Sequence, residues 1–166
     1  MLLNAFLLAD AVSAPPDGKF YIHGGGLTRL AVPFLPFPIP QIGVFVRLEV
    51  DPEEIGRTYE FRFKLTDPDG SPVGVLPQFE APLPEGQLPL ETGEQRFVVL
   101  GMNIGGIMVG RSGLHQLTFS VDDDVLGSVP LPVVVLSEEQ LRAQFAPPPA
   151  LPAAPPNRAA RRHPPR

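Results

Sequence analysis

The sequence predicts an all-β fold, an antiparallel β-sandwich of about 7–9 strands of the Ig-like or Greek-key type, followed by a short C-terminal helical turn and a disordered tail. Three observations carry this. Short apolar runs recur along the chain and several alternate with polar residues. Turn signals interrupt them about every 8–12 residues. Only one segment, at Ser137, carries a helix-start signal. The chain divides into a sandwich over 1–136, a helix over 137–145 and a tail over 146–166.

The first element reads as a buried strand. Leu3, Ala5, Leu7 and Ala9 share one face, and Leu2, Phe6 and Leu8 share the other. Pro15-Pro16-Asp17-Gly18 then forms a turn, because Pro fixes φ and Asp-Gly supplies positive-φ positions. Lys19–Ile22 returns as the second half of a hairpin. The competing reading is a secretory leader ending at Val12-Ser13-Ala14. No Lys or Arg precedes Lys19, and Asn4 interrupts the apolar run, so the leader is disfavoured and a cytoplasmic setting is expected. The run is also too short for a membrane span.

Gly24-Gly25-Gly26 breaks or bulges the second strand, and Leu27–Val32 continues it. Pro33–Pro40 alternates Pro with large apolar residues. It cannot be a central strand, and it reads as an extended connection with its Phe residues tucked inward. Gln41–Val50 is a strong strand, closed by Asp51-Pro52-Glu53-Glu54. Thr58–Thr66 alternates most cleanly, with Tyr59, Phe61, Phe63 and Leu65 inward and Glu60, Arg62 and Lys64 outward. Asp67–Gly70 is a turn, Val73–Phe79 a weaker strand, and Leu83–Gly93 an exposed loop. Gln95–Leu100 and Leu114–Val121 are further strands, the latter with Leu117, Phe119 and Val121 inward. Asp122-Asp123-Asp124 turns into Val125–Leu136, the last strand or pair of strands. Ser137 and Gln140 match a capping box, and Pro147–Pro149 stop the helix that follows.

Composition bounds the function. The tail 146–166 holds eight Pro, six Ala and four Arg and no acidic residue. The body retains nine basic residues against 18 acidic ones, a net charge of −9. An acidic body argues against a nucleic-acid surface on the domain, since phosphate neutralisation needs clustered Lys and Arg. The tail's Arg158, Arg161, Arg162 and Arg166 could dock an acidic partner, nucleic acid or lipid. A solvated terminus is the plainer account. There is no Cys, which removes disulfides, thiolate metal sites and thiol nucleophiles.

The candidate sites are sparse. Asp51, Asp122, Asp123 and Asp124, with Glu53 and Glu54, could share one rim and offer oxygens to calcium. Strands that alternate in direction would bring those turns to one end and send Asp67 and Asp69 to the other. Equally, Asp is a turn former and these turns are solvated. His23 and His115 are the two positioned histidines, and each reads as a surface or turn residue. None of Ser13, Ser71, Ser112, Ser120, Ser128 and Ser137 sits in a nucleophile-elbow pattern. The glycine run lacks the Lys-Ser or Lys-Thr and the helix of a phosphate loop.

The blocks Asn4–Asp10, Pro16–Lys19 and Ile22–Gly26, with a strand like Val44–Val50, a turn like Asp67–Gly70 and the Arg111–Val121 stretch, resemble an uncharacterised family of small bacterial proteins, often actinobacterial. The resemblance covers about Leu2–Val135. It implies a small cytoplasmic β-sandwich and no activity, so no functional residue is carried over from it. The residues then predict a non-enzymatic module that binds another protein or a second copy of itself, with no cofactor. A calcium- or small-ligand-binding module is the alternative, and a small hydrolase using His23 or His115 the second alternative.

Overall fold

The computed structural model describes residues 1–13, 19–84 and 95–144. In chain order they form β1 (Leu2–Ala9), β2 (Ala11–Ser13), β3 (Tyr21–His23), β4 (Leu30–Val32), β5 (Phe37–Ile39), β6 (Ile42–Val50), a 3₁₀ turn (Pro52–Glu54), β7 (Thr58–Thr66), β8 (Gln78–Pro82), β9 (Arg96–Ile104), β10 (Ile107–Val109), β11 (Gly113–Val121), β12 (Asp124–Val135) and α1 (Glu138–Gln144). The fold is all-β, as the alternation predicts. The turn at 15–18, most of the 83–93 loop and the tail lie outside the described residues.

Two sheets enclose the core. One runs β1-β6-β9; the other runs β4-β12-β11-β7-β8. Strand alternation aims Val44, Val46, Leu48 and Val50 of β6 at Phe61, Phe63 and Leu65 of β7 and at Leu117, Phe119 and Val121 of β11, and all are buried. The inward alternation expected for β7 and β11 is present. Phe6 of β1 bridges the sheets, its ring 6.4 Å from Phe63 and 6.0 Å from Phe119. Phe63 and Phe119 approach to 4.9 Å, and Phe61 and Phe79 to 5.4 Å. Burying each such ring contributes about 1.5–3 kcal/mol.

Several sequence expectations need correction. β1 carries a bulge: Leu3 pairs with Leu48 but Ala5 with Arg47, leaving Asn4 as the extra residue. The bulge inverts the alternation beyond it, so Leu3, Phe6 and Leu8 share the core face. The N-terminal strand also breaks at Asp10. β1 pairs with β6, and only β2 pairs with β3, as Ala11↔His23, Val12↔Ile22 and Ser13↔Tyr21. Leu27–Val32 does not prolong that hairpin. Its end, β4, joins the other sheet parallel to Val133–Val135, the one parallel pair in these sheets among the described residues. In the Pro-rich connection Phe37–Ile39 pairs with β10, while Phe34 is 56% exposed rather than tucked in. The strand expected at Val73–Phe79 lies at Gln78–Pro82: Val73 N–H still donates to Leu65 O (2.8 Å), but Gly74 takes a φ of +68° and breaks the run. Leu83 is buried, and β9 runs four residues past the predicted Leu100. The C-terminal helix starts as predicted: Ser137 N–H donates to Gln140 Oε1 (2.9 Å) and Gln140 N–H to Ser137 Oγ (3.2 Å).

The β2–β3 hairpin lies across the outer face of the three-stranded sheet. Two glycines make room for it. A Cβ on Gly43 would stand 2.7 Å from the Ala11 carbonyl carbon, and one on Gly101 2.8 Å from Val12 Cγ1. Asn103 fastens the hairpin: its Oδ1 accepts from Val12 N–H (2.9 Å) and its Nδ2 donates to Val12 O (2.8 Å). Phe20 meets Phe45 at 5.9 Å beside this clamp.

Candidate functional site

The acidic turns collect at one end of the sandwich. The end of β6 brings Asp51 and the 3₁₀ turn beside Met1, and the β11–β12 turn brings Asp122–Asp124 beside the start of β7. Glu54, Asp122 and Asp124 line a cavity of about 170 Å³ together with Met1, Tyr59, Val121 and Leu126. Asp67 and Asp69 lie at the other end, where Asp67 Oδ1 accepts from Asp69 N–H (3.0 Å) and Ser71 N–H (2.9 Å) and both carboxylates pair with Arg111. The acidic end is already occupied by positive charge and backbone donors. The Met1 ammonium sits 2.7 Å from Glu54 Oε1 and 4.0 Å from Asp51 Oδ2. Asp51 N–H donates to Glu54 Oε2 (2.9 Å), and Glu60 N–H donates to Asp122 Oδ1 (2.9 Å). Asp123 is fully exposed and pairs loosely with Arg62 at 3.8 Å. Among the described residues no group of three or more His, Cys, Asp or Glu is set to share a metal ion. Burial by itself would raise the Glu54 carboxyl. The hydrogen bonds from the terminal ammonium and Asp51 N–H, with the charges of the terminus and Arg57, outweigh it and hold the group below the usual glutamate range.

The two histidines are far apart in chemistry. His23 ends β3, is exposed, and contributes its backbone carbonyl to Asp10 N–H at 3.0 Å. His115, read from sequence as a surface or turn residue, is 0% exposed, because it shares the inward face of β11 with Leu117, Phe119 and Val121 and lies opposite Leu131. Its Nδ1 lies 3.3 Å from Gly113 O and its Nε2 has no partner among the described residues. Neither imidazole lies within hydrogen-bond reach of a carboxylate or hydroxyl there. Ser137 Oγ caps α1 and Ser128 Oγ accepts from Gln116 Nε2 (2.8 Å). In the glycine run, Gly24 and Gly26 take φ of +61° and +82°, and the Asp10 carboxylate occupies the space a Gly24 side chain would need. The run is a turn with a close approach and opens no helix.

Two further surfaces are largely apolar. Where β1 approaches β12, Phe6, Leu7, Leu8, Gly26, Leu27, Thr28, Val129 and Pro130 line an open groove of about 260 Å³ with no ionisable side chain. The Leu27 segment is held there because Gly26 and Leu27 N–H both donate to Leu8 O, at 3.0 and 3.1 Å. On the outer face of the three-stranded sheet, Ala5, Leu7, Phe45, Phe97 and Val99 are half-buried, and Arg47 stacks its guanidinium 3.7 Å above the Phe97 ring. Sequence reasoning missed the Asn103 clamp, the groove and the length of β9. Gly43 and Gly101 were the available signal, since glycine inside a strand marks close backbone approach.

A family model matches residues 4–134, from within β1 to the penultimate residue of β12. The chain belongs to DUF6941, a family of unknown function. The match takes in the Asn103 clamp, the glycine run, the acidic turns and every groove residue, and it leaves out α1 and the tail. No curated protein matches the chain. Two solved structures are similar in part: β-glucosidase from Listeria innocua in complex with glucose, and the same enzyme in complex with isofagomine. Each is 17% identical with a TM-score of 0.40 over 80% of this chain. The chain spans 16% and 17% of their lengths, and a likeness this slight carries no argument about the DUF6941 fold or activity. No helix among the described residues is long and apolar enough to cross a membrane.

Proposed function

We propose that this DUF6941 member is a non-enzymatic interaction module of the bacterial cytoplasm, a β-sandwich that binds another protein or a second copy of itself. The observation that carries the reading is the groove between β1 and β12. Its lining of Phe6, Leu7, Leu8, Leu27, Val129 and Pro130 can take an apolar side chain and offers no acid or base. The separation of the solvated His23 from the sealed His115 supports the same reading over a hydrolase. Size exclusion with light scattering, then affinity capture with and without Ala146–Arg166, tests it. A specific complex or a defined oligomer is expected. A strict monomer that captures nothing specific overturns it.

A calcium- or small-ligand-binding module is the second reading, supported by the shared cavity of Glu54, Asp122 and Asp124. It weakens because the Met1 ammonium lies on Glu54 and Asp122 is spent on the backbone of Glu60. Titration calorimetry with calcium decides: no heat and no thermal shift removes it.

A further inference from the structure

The exposed edges of the two sheets differ in how they are protected. In the five-stranded sheet, β4 is three residues long and stops at Pro33, and β8 is five residues long and carries Glu80 and Pro82. In the three-stranded sheet, β1 carries the bulge at Asn4 and has Gly26 and Leu27 bonded along its edge at Leu8. Short strands, prolines, charges, bulges and covering loops are the devices by which sheets refuse further strands. Among the described residues β9 is the edge with fewest of them: the β2–β3 hairpin covers its outer face at Gly101 and Asn103, and its edge carries no bulge and no pairing segment. It pairs with β6 in unbroken register over all nine residues, from Arg96 to Ile104. It contains no Pro, no acidic residue and one charge, Arg96 at its first position. Among the described residues no strand pairs with its other edge.

We infer that β9 is a self-association edge, at which two copies of this chain pair antiparallel across a two-fold axis near Leu100 and join their three-stranded sheets into one of six strands. The inference rests on the reading of the chain as an interaction module and names the partner as a second copy. The charge pattern selects the antiparallel arrangement. With Leu100 on the axis, Arg96 of each copy faces Ile104 of the other, so the two guanidinium groups stand roughly 27 Å apart at about 3.4 Å per residue. A parallel pairing in register would set them side by side, where like charges oppose association. The same geometry closes the assembly. A two-fold contact uses the same patch on both copies and consumes it. The remaining edges of the two large sheets are the protected ones, so their pairing stops at two. On the outward face Val99 stands opposite Gly101 of the other copy and Phe97 opposite Asn103, and Phe97 and Val99 extend the half-buried apolar face shared with Phe45.

Val99 tests this, because it lies on the outer face and, in the pairing proposed, stands diagonally across from its own copy, about 7–8 Å away. Light scattering on the full chain is expected to show a concentration-dependent dimer. Val99→Lys and Val99→Glu should each weaken it by about tenfold or more through like-charge repulsion. An equimolar mixture of the two variants should restore association to within about threefold of the unsubstituted chain, because opposite charges then meet. Melting curves by circular dichroism confirm that each variant folds. If one does not, the shorter Val99→Asp and the alternative cation Val99→Arg replace them in the same scheme. A dimer that persists in both single variants overturns the edge assignment and leaves the interaction module standing. A chain that remains a monomer at its solubility limit overturns self-association, and capture of a specific partner then decides the broader reading. Open-ended aggregates in place of a dimer overturn the two-fold closure.

Discussion

His115 is the residue whose environment departs furthest from its sequence context. Its ring is sealed in an apolar core, with Nδ1 at Gly113 O and Nε2 without a partner among the described residues. An unpaired buried polar atom costs about 1–3 kcal/mol, and an apolar side chain of similar volume avoids that cost. His115→Leu should therefore leave the urea midpoint unchanged or raise stability by about 1 kcal/mol. A loss greater than that would show that the imidazole makes a contact the apolar residue cannot replace. Asn103 is the opposite case, since both ends of its amide are used. Asn103→Ala strips a donor and an acceptor from Val12 and should cost about 1–3 kcal/mol in denaturant unfolding. Glu54 sets an acid limb. Its folded value lies below its unfolded one, so the stability it contributes is complete above the usual glutamate value of 4.5 and is lost as pH falls through the lower folded value. Glu54→Gln should flatten this part of the stability–pH curve, and an unchanged slope in acid unfolding would remove Glu54 from the account.

At the scale of elements, β1 decides whether the domain exists. It supplies Leu3, Phe6 and Leu8 to the core and the whole of one edge of its sheet. A fragment beginning at Pro15 loses those side chains, and the β6 backbone loses a pairing that runs from Gly43 to Glu49. The fragment Pro15–Phe145 should show no cooperative thermal transition by circular dichroism, and a sharp melt would mean that β1 is dispensable. The β2–β3 hairpin is a later addition in this hierarchy. It covers an outer face and depends on the space at Gly43 and Gly101, so losing it should loosen the sheet surface rather than dissolve the core.

At the scale of the whole molecule, the sheets are knitted from segments far apart in the chain. β1 pairs with β6, β6 with β9, and β7 with β11. Each pairing closes a long loop before any contact compensates for the lost entropy. Refolding from denaturant should accordingly take about milliseconds to seconds, the range of β-sandwiches dominated by non-local pairing. Microsecond refolding in a stopped-flow or temperature-jump experiment would contradict this topology. The same knitting fixes what the surface offers. It brings Asp51 and Glu54 to Asp122 and Asp124 at one end, forms the apolar groove between β1 and β12, and leaves β9 as the least protected edge.

Local chemistry determined a good part of this protein in advance. Alternation in Thr58–Thr66 and Leu114–Val121 determined strands and their inward faces, because the period of two is a property of the strand itself. The Ser137–Gln140 spacing determined a helix start, because the reciprocal capping bonds close within one turn. The extension of the family resemblance over about Leu2–Val135 was also legible, and a family model matches residues 4–134. Tertiary structure alone decided the rest. The bulge at Asn4 arises from pairing with β6, and it exchanged the faces of β1 that simple alternation assigns. Phe34 was left in solvent by the path of the proline segment, and the terminal ammonium was brought to Glu54. Each of these depends on a partner tens of residues away, and a pattern read within one segment holds no information about which distant segment will face it.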